Sequence, residues 1–183
     1  PDFITVDGAE GGTGAAPLEF IDYMGMALSD ALIFVTKTLK QFELRDQVKI
    51  MASGKIITGF DIAKAISLGA DACYSARGMM FALGCIQALQ CDSGKCPVGI
   101  ATQDKALYKG LDVTEKSVRV THFHNNTLKA FAEFIGACGF ESPKAITPDV
   151  FYRRIDHKTN ENFASLFFND FENKAKTEKI NLN

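Results

Sequence analysis

The sequence predicts an α/β protein of parallel strands joined by helices, and three observations carry the prediction. Short segments that alternate apolar and polar side chains recur as strands; helical segments with an apolar face lie between them; each strand runs into small residues and glycine. An order of strand, helix, strand, helix, strand, helix is the pattern of right-handed parallel crossovers with both sheet faces covered.

Taken in order, Pro1-Asp2-Phe3-Ile4-Thr5-Val6 opens without a methionine or lead-in, as though entering a strand under way, so the chain reads as part of a longer one. DFITVDG is the first strand; VKIMASG (Val48 to Gly54) and ADACYSARG (Ala70 to Gly78) repeat its form. Helices over Leu28 to Phe42 and Gly59 to Leu68 separate them, the second with Ile62, Ala65 and Ile66 on its apolar face and Gly69 as its stop. The pattern changes at Asp112, which with Glu115 makes a capping-box spacing. A helix to about Cys138 follows, with Leu128, Phe131 and Ile135 on one face and Gly139 after it. Pro143 and Pro148 interrupt the chain, and polar, lysine-rich Asn169 to Asn183 is expected to fray. The expected division is therefore 1–111, strands and helices, and 112–183, a helical extension and polar tail.

A 183-residue chain that is 46% hydrophobic can bury one sizeable core. A formal charge of −2 leaves no basic surplus for nonspecific binding of nucleic acid or an anionic membrane face. No apolar run is long enough to cross a bilayer, and no export signal is recognisable, so a soluble cytoplasmic chain is expected, with any anchor left to the region before Pro1. Five cysteines, three of them clustered, suit a reducing compartment and thiolate ligands better than a disulfide framework.

Three strand ends are loops of small residues: DGAEGGTGAAP (Asp7 to Pro17), ASGKIITG (Ala52 to Gly59) and SARGMM (Ser75 to Met80). Ligands of parallel sheets bind outside the carboxyl ends of the strands, and loops without bulky side chains let backbone N–H groups reach an anion. A phosphate is the natural guest, set between Gly54 and Lys55 on one side and Ala76, Arg77 and Gly78 on the other, with Arg77 adding charge. The plain alternative is that these glycines only make tight turns. Neither G-x-G-x-x-G nor G-x-x-x-x-G-K-[ST] occurs.

Cys85, Cys91 and Cys96 follow one another with five and four intervening residues, and Pro97 comes directly after the third. Zinc sites favour closer pairs and four ligands. A final cysteine followed by proline is a mark of iron–sulfur loops, and three thiolates match a three-iron cluster. Two alternatives stay open: Cys85 packs in a helix as a small apolar residue, or a distant histidine completes a zinc site. Cys73 and Cys138 read as core residues. His122 and His124, two apart on a helix, point to different faces. Asp7 and Glu10 read as caps of a glycine turn before acid–base catalysts.

GAEGGTGAAP, SGKIITGFDIA and ALGCIQALQCDSGKCPVGIATQD closely resemble the FMN-binding domain of the glutamate synthase family. VTHFHNNTLKAFAEFIGACG and FYRRI are similar to a subgroup with an extended C-terminal tail, and the resemblance runs to about Phe168. It implies the C-terminal portion of an FMN-binding (β/α)8 TIM barrel plus a C-terminal helical extension, in an oxidoreductase of glutamate biosynthesis. That flavoprotein reduces 2-iminoglutarate, formed from 2-oxoglutarate and ammonia, to glutamate. By the same resemblance Cys85, Cys91 and Cys96 would bind a 3Fe-4S cluster, and Ser53, Gly54, Lys55, Ala76, Arg77 and Gly78 the FMN phosphate. Glu10, Gly11, Gly12, Thr13 and Gly14 would lie near substrate and cluster.

The partners so implied are an electron donor, ferredoxin or a reductase subunit, and a glutaminase domain or subunit. The better-known members read aspartate-glycine-glycine where this chain has Ser53-Gly54-Lys55, and histidine-aspartate where it has Ala9-Glu10. With the earlier strands outside this sequence, the segment alone is expected to be inactive and to associate through unpaired strand edges. An FMN-dependent oxidase of another substrate on the same barrel, or a non-catalytic metal-binding interaction segment, are the alternatives.

Overall fold

The computed structural model describes residues 1–11, 16, 17, 19, 20 and 24–169. Strands β1 (Phe3–Asp7), β2 (Lys49–Ser53) and β3 (Ala72–Tyr74) form a parallel sheet in the order β1-β2-β3. Asp7 stands opposite Ser53 and Ser53 opposite Tyr74, so all three strands end at one level. That level is where the three small-residue loops begin.

Helix α1 (Leu28–Gln41) buries Leu28, Leu32, Ile33 and Leu39 against β1 and β2. Helix α2 (Gly59–Ser67) starts with a complete capping box: Thr58 Oγ1 accepts from the Asp61 N–H while the Asp61 carboxylate accepts from the Thr58 N–H. Its buried residues are Gly59, Ala63, Ala65 and Ser67, with Ile62 and Ile66 only partly covered. The buried Ser67 hydroxyl is satisfied by donating to Lys64 O at 2.7 Å. Gly69 does end the helix, at φ +111°. Leu32, Ile50 and Leu68, all essentially without exposure, mark the centre of the core.

The end of the sheet opposite the small-residue loops is tied by Arg45. Its guanidinium donates to Val48 O, Gly69 O and Asp71 Oδ2 at 3.1, 2.8 and 2.9 Å, and Asp71 Oδ2 also accepts from the Ile50 N–H. Thr36 Oγ1, buried, donates to Leu68 O and binds α1 to the end of α2.

Helix α3 (Arg77–Leu83) follows β3 after only Ser75 and Ala76, so the strand stops earlier than its apolar run. A short helix α4 (Lys105–Tyr108) precedes the long α5 (Val113–Ala137), which packs on α2 and α3. Asp112 caps α5 by accepting from the Glu115 N–H, without the return bond of a full box. The packed face of α5 is also rotated from expectation: Leu128 is 46% exposed, while Phe123, Thr127, Phe131 and Ile135 are covered or half-covered. Thr127 can take that place because its hydroxyl donates to Phe123 O at 2.8 Å. Cys138, expected in the core, is exposed at the C-cap of α5.

Beyond α5 an antiparallel hairpin, β4 (Tyr152–Arg154) with β5 (Asn160–Asn162), leads into α6 (Phe163–Phe167). Phe60, Phe134, Phe151, Phe163 and Phe167 form a chain of neighbouring rings with centroids 5.3 to 5.8 Å apart. That chain joins α2, α5 and the C-terminal segment into the core that also holds Val6 and Ile50. Of the expected polar tail, all but Asn169 lies outside the described residues.

Candidate functional site

Two hydrogen bonds gather the strand-end loops. The Gly8 N–H donates to Ser53 O at 2.7 Å, joining the first loop to the second. Ser75 Oγ donates to Ile56 O at 2.7 Å, joining the second to the third. Gly54 lies buried between them with φ +148°, and a Cβ there would stand 3.2 Å from Leu28 Cβ and 3.4 Å from Gly8 N. Lys55 follows at φ +48°, a left-handed turn that lifts the backbone off the sheet and leaves the residue exposed.

Beside these loops a cavity is lined by Ala76, Arg77, Gly11 and all of Cys85, Cys91 and Cys96. Helix α3 delivers the first cysteine: Gly84, at φ +105°, closes the helix, its N–H bonded to Phe81 O and that of Cys85 to Met80 O. Cys85 therefore leaves the helix rather than packing within it. The connection to Cys91 is bent, with left-handed φ at Gln87 (+56°) and Leu89 (+54°). Cys91 and Cys96 each open a turn closed three residues on, by the N–H groups of Gly94 and Gly99. Buried Gly99 rests on α4, where a Cβ would lie 2.8 Å from Leu107 O.

The thiols differ in electrostatics. Burial would raise the Cys96 thiol, but the neighbouring backbone N–H groups of Ala101, Val98, Ile100 and Gly99 together hold it below the ordinary thiol range. Successive N–H groups of this kind form an anion-binding nest, a recurring feature of iron–sulfur loops. Cys91 is pushed up by burial and then by the charges of Cys96, Cys85 and Asp92, so the three sulfurs act on one another. Cys73, in β3 and away from this cavity, is pushed up to about 11 by burial and the charge of Asp61.

This donor set fits a group held by thiolates: three cysteines line one cavity, and one has backbone N–H groups nearby that favour its negative charge. As they stand the sulfurs are not drawn into a closed ligand set; among the described residues no three His, Cys, Asp or Glu side chains are gathered tightly enough to hold an ion.

Of the other expected residues, Ser53 is half-buried at the end of β2, and Gly78 turns its α-carbon to α5, where a Cβ would meet Phe123 Cζ at 2.9 Å. Glu10 points away from the cysteines: both carboxylate oxygens accept from the Leu28 N–H, at 3.1 and 3.0 Å. Asp7 is exposed. Gly12, Thr13 and Gly14 lie outside the described residues. His122 and His124 are exposed on α5, away from the cysteine cavity. Sequence reasoning missed the N–H nest at Cys96, which only the folding back of Val98–Ala101 creates, and the Ser75 tie.

The family model for the conserved region in glutamate synthase matches residues 1–141, which include every residue of this site. The chain belongs to the glutamate synthase family. It is 46% identical over 157 residues to the glutamate synthase large subunit-like protein YerD of Bacillus subtilis, a match covering 85% of this chain and 30% of that protein. To the archaeal glutamate synthase [NADPH] of Methanocaldococcus jannaschii it is 39% identical over 145 residues, 79% of this chain and 28% of the relative. The chain thus spans under a third of these glutamate synthase relatives. Among solved structures it is similar to flavocytochrome b2 with sulfite bound, with a TM-score of 0.46 at 19% identity, covering 80% of this chain and 34% of that one. Among the described residues no helix is long and apolar enough to cross a membrane.

Proposed function

We propose that the chain forms the last three strands of an FMN-binding (β/α)8 barrel and carries the cysteine ligands of a 3Fe-4S cluster. The whole protein is a glutamate synthase-type oxidoreductase acting on 2-oxoglutarate and ammonia through 2-iminoglutarate. One observation supports this above the rest: Cys85, Cys91 and Cys96 line a single cavity with Ala76 and Arg77, beside the paired strand-end loops.

In this reading backbone N–H groups of residues 53–55 and 76–78 hold the FMN phosphate, and Gly78 contributes through its N–H because its α-carbon faces Phe123. The thiolates of Cys85, Cys91 and Cys96 bind the cluster, and the nest around Cys96 stabilises the negative charge of its sulfur. When bound, the two groups supply hydride and single-electron transfer; the protein supplies position and electrostatics. The Glu10–Gly14 loop borders the substrate, with Gly11 on the cysteine side. Residues 1–111 carry the cofactor loops and 112–183 form an extension that braces them through α5. A ferredoxin or reductase subunit delivers electrons, and a glutaminase domain or subunit can deliver ammonia.

Metal, sulfide and flavin analysis of the anaerobically purified holoprotein tests the reading. Iron and sulfide together with FMN is the expected result. Flavin without iron would point to an oxidase of another substrate, and zinc without flavin to a metal-bound interaction segment; either overturns it.

A further inference from the structure

Residues 8–11 form one turn that reaches both parts of the proposed site. On one side the Gly8 N–H bonds to Ser53 O, and Gly11 abuts the second loop so closely that a Cβ on it would stand 2.9 Å from Gly54 Cα and 2.7 Å from Asp7 Oδ1. On the other, Gly11 lines the cavity of the three cysteines. The turn is closed by Gly11 N–H to Gly8 O at 2.8 Å and fastened to the chain before α1 by Ala9 N–H to Met26 O at 2.9 Å.

The only side-chain hydrogen bond of this turn to the rest of the fold, among those described, is Glu10 to the Leu28 N–H, at 3.1 and 3.0 Å. Helix α1 needs it: its N-cap residue Ala27 has no side-chain acceptor, and Leu28 is buried, so its N–H would otherwise lose its partner. The carboxylate also sits where the helix dipole favours negative charge. A cap supplied from 18 positions upstream differs from a local one in that it fixes the donor loop as well as the helix.

We propose that Glu10 is a positioning residue: by locking the 8–11 turn onto α1 it sets the spacing between the cysteine cavity and the Ser53–Lys55 loop. The inference rests on the cofactor reading above. It separates from a merely structural cap because the two functions of Glu10 can be divided. Ala27 is exposed with φ −58° and ψ 142°, so A27D places a capping carboxylate at the helix's own N-cap and leaves the 8–11 turn with its backbone bonds but without the side-chain tie to α1.

The test compares wild-type, E10A and E10A/A27D holoproteins by thermal unfolding, FMN titration and the paramagnetic resonance of the iron cluster. E10A is expected to lower Tm and disturb both cofactor signals. E10A/A27D is expected to recover Tm while FMN binding stays weaker by about tenfold or more and the cluster spectrum stays altered, as for loss of an outer-shell support. Full recovery of both signals with Tm would overturn the inference and leave the cofactor reading standing. Wild-type protein without iron or flavin would overturn both. Should E10A/A27D not fold, G11A decides: with Glu10 and α1 intact its added Cβ pushes the turn off Gly54, and unchanged cofactor signals would contradict the proposal.

Discussion

Lys55 holds a φ of +48°, the conformation that glycine adopts freely and a lysine adopts at a cost of about 1–2 kcal/mol. A glycine there would relieve that strain but lose about 0.5–1 kcal/mol to its greater unfolded freedom. K55G is therefore expected to be neutral to about 1 kcal/mol more stable in denaturant unfolding, and to retain FMN if the phosphate is held by the backbone. A large loss of flavin would assign the contact to the lysine side chain. Cys73 gives a pH prediction. Burial and then Asp61 raise its thiol from 9.0 to about 11, so the folded state disfavours the thiolate that the unfolded chain forms more readily. Its contribution to stability is full below the unfolded value and is lost as pH rises toward and through the folded one. Tm followed through this alkaline window should fall less steeply in C73A than in wild type. These single-residue properties were partly legible: S-G-K could be read as a departure and Cys73 as a core residue of its strand, whereas the charge of Asp61 near its thiol depends on how the preceding helix packs.

Between elements, α2 and α5 cross closely. A Cβ on Gly59 would stand 2.5 Å from Phe131 N and 2.9 Å from Phe131 Cα, backbone atoms that cannot move alone. G59A is expected to cost about 1–3 kcal/mol by overpacking, measured as a lower denaturant midpoint, although alanine is the better helix former. The first strands and helices were legible because their signals are local: alternation in DFITVDG, a stop at Gly69, a cap at Asp112. The rotation of α5 was not, because Leu128 is the more apolar residue and Thr127 gains the packed face only through its bond to Phe123 O. Nor was the β4–β5 hairpin, whose side chains are mostly exposed and leave no burial pattern to read. Glu10 was legible as a cap but not as the cap of a helix 18 residues on.

For the molecule as a whole, one core runs from the sheet to the C-terminal segment through the phenylalanine chain. Phe151 is 4% exposed and touches Phe60, Phe134 and Phe163, so F151A is expected to cost about 3–5 kcal/mol. Because the core is continuous, calorimetry should show one transition at lower temperature; two separated transitions would mean that the extension melts by itself. The cysteine trio was the most legible part of the site, since its spacing lies in a dozen residues, while its convergence with Ala76 and Arg77 depended on the fold. The central claim is that this trio binds a three-iron cluster. Three ferric ions, each with an odd number of d electrons, leave an odd total, so the oxidised cluster must be paramagnetic, whereas bound zinc is silent. Electron paramagnetic resonance of the oxidised, anaerobically prepared holoprotein is predicted to give an iron signal that C96S abolishes. A silent spectrum, or a signal that survives C96S unchanged, would contradict the account.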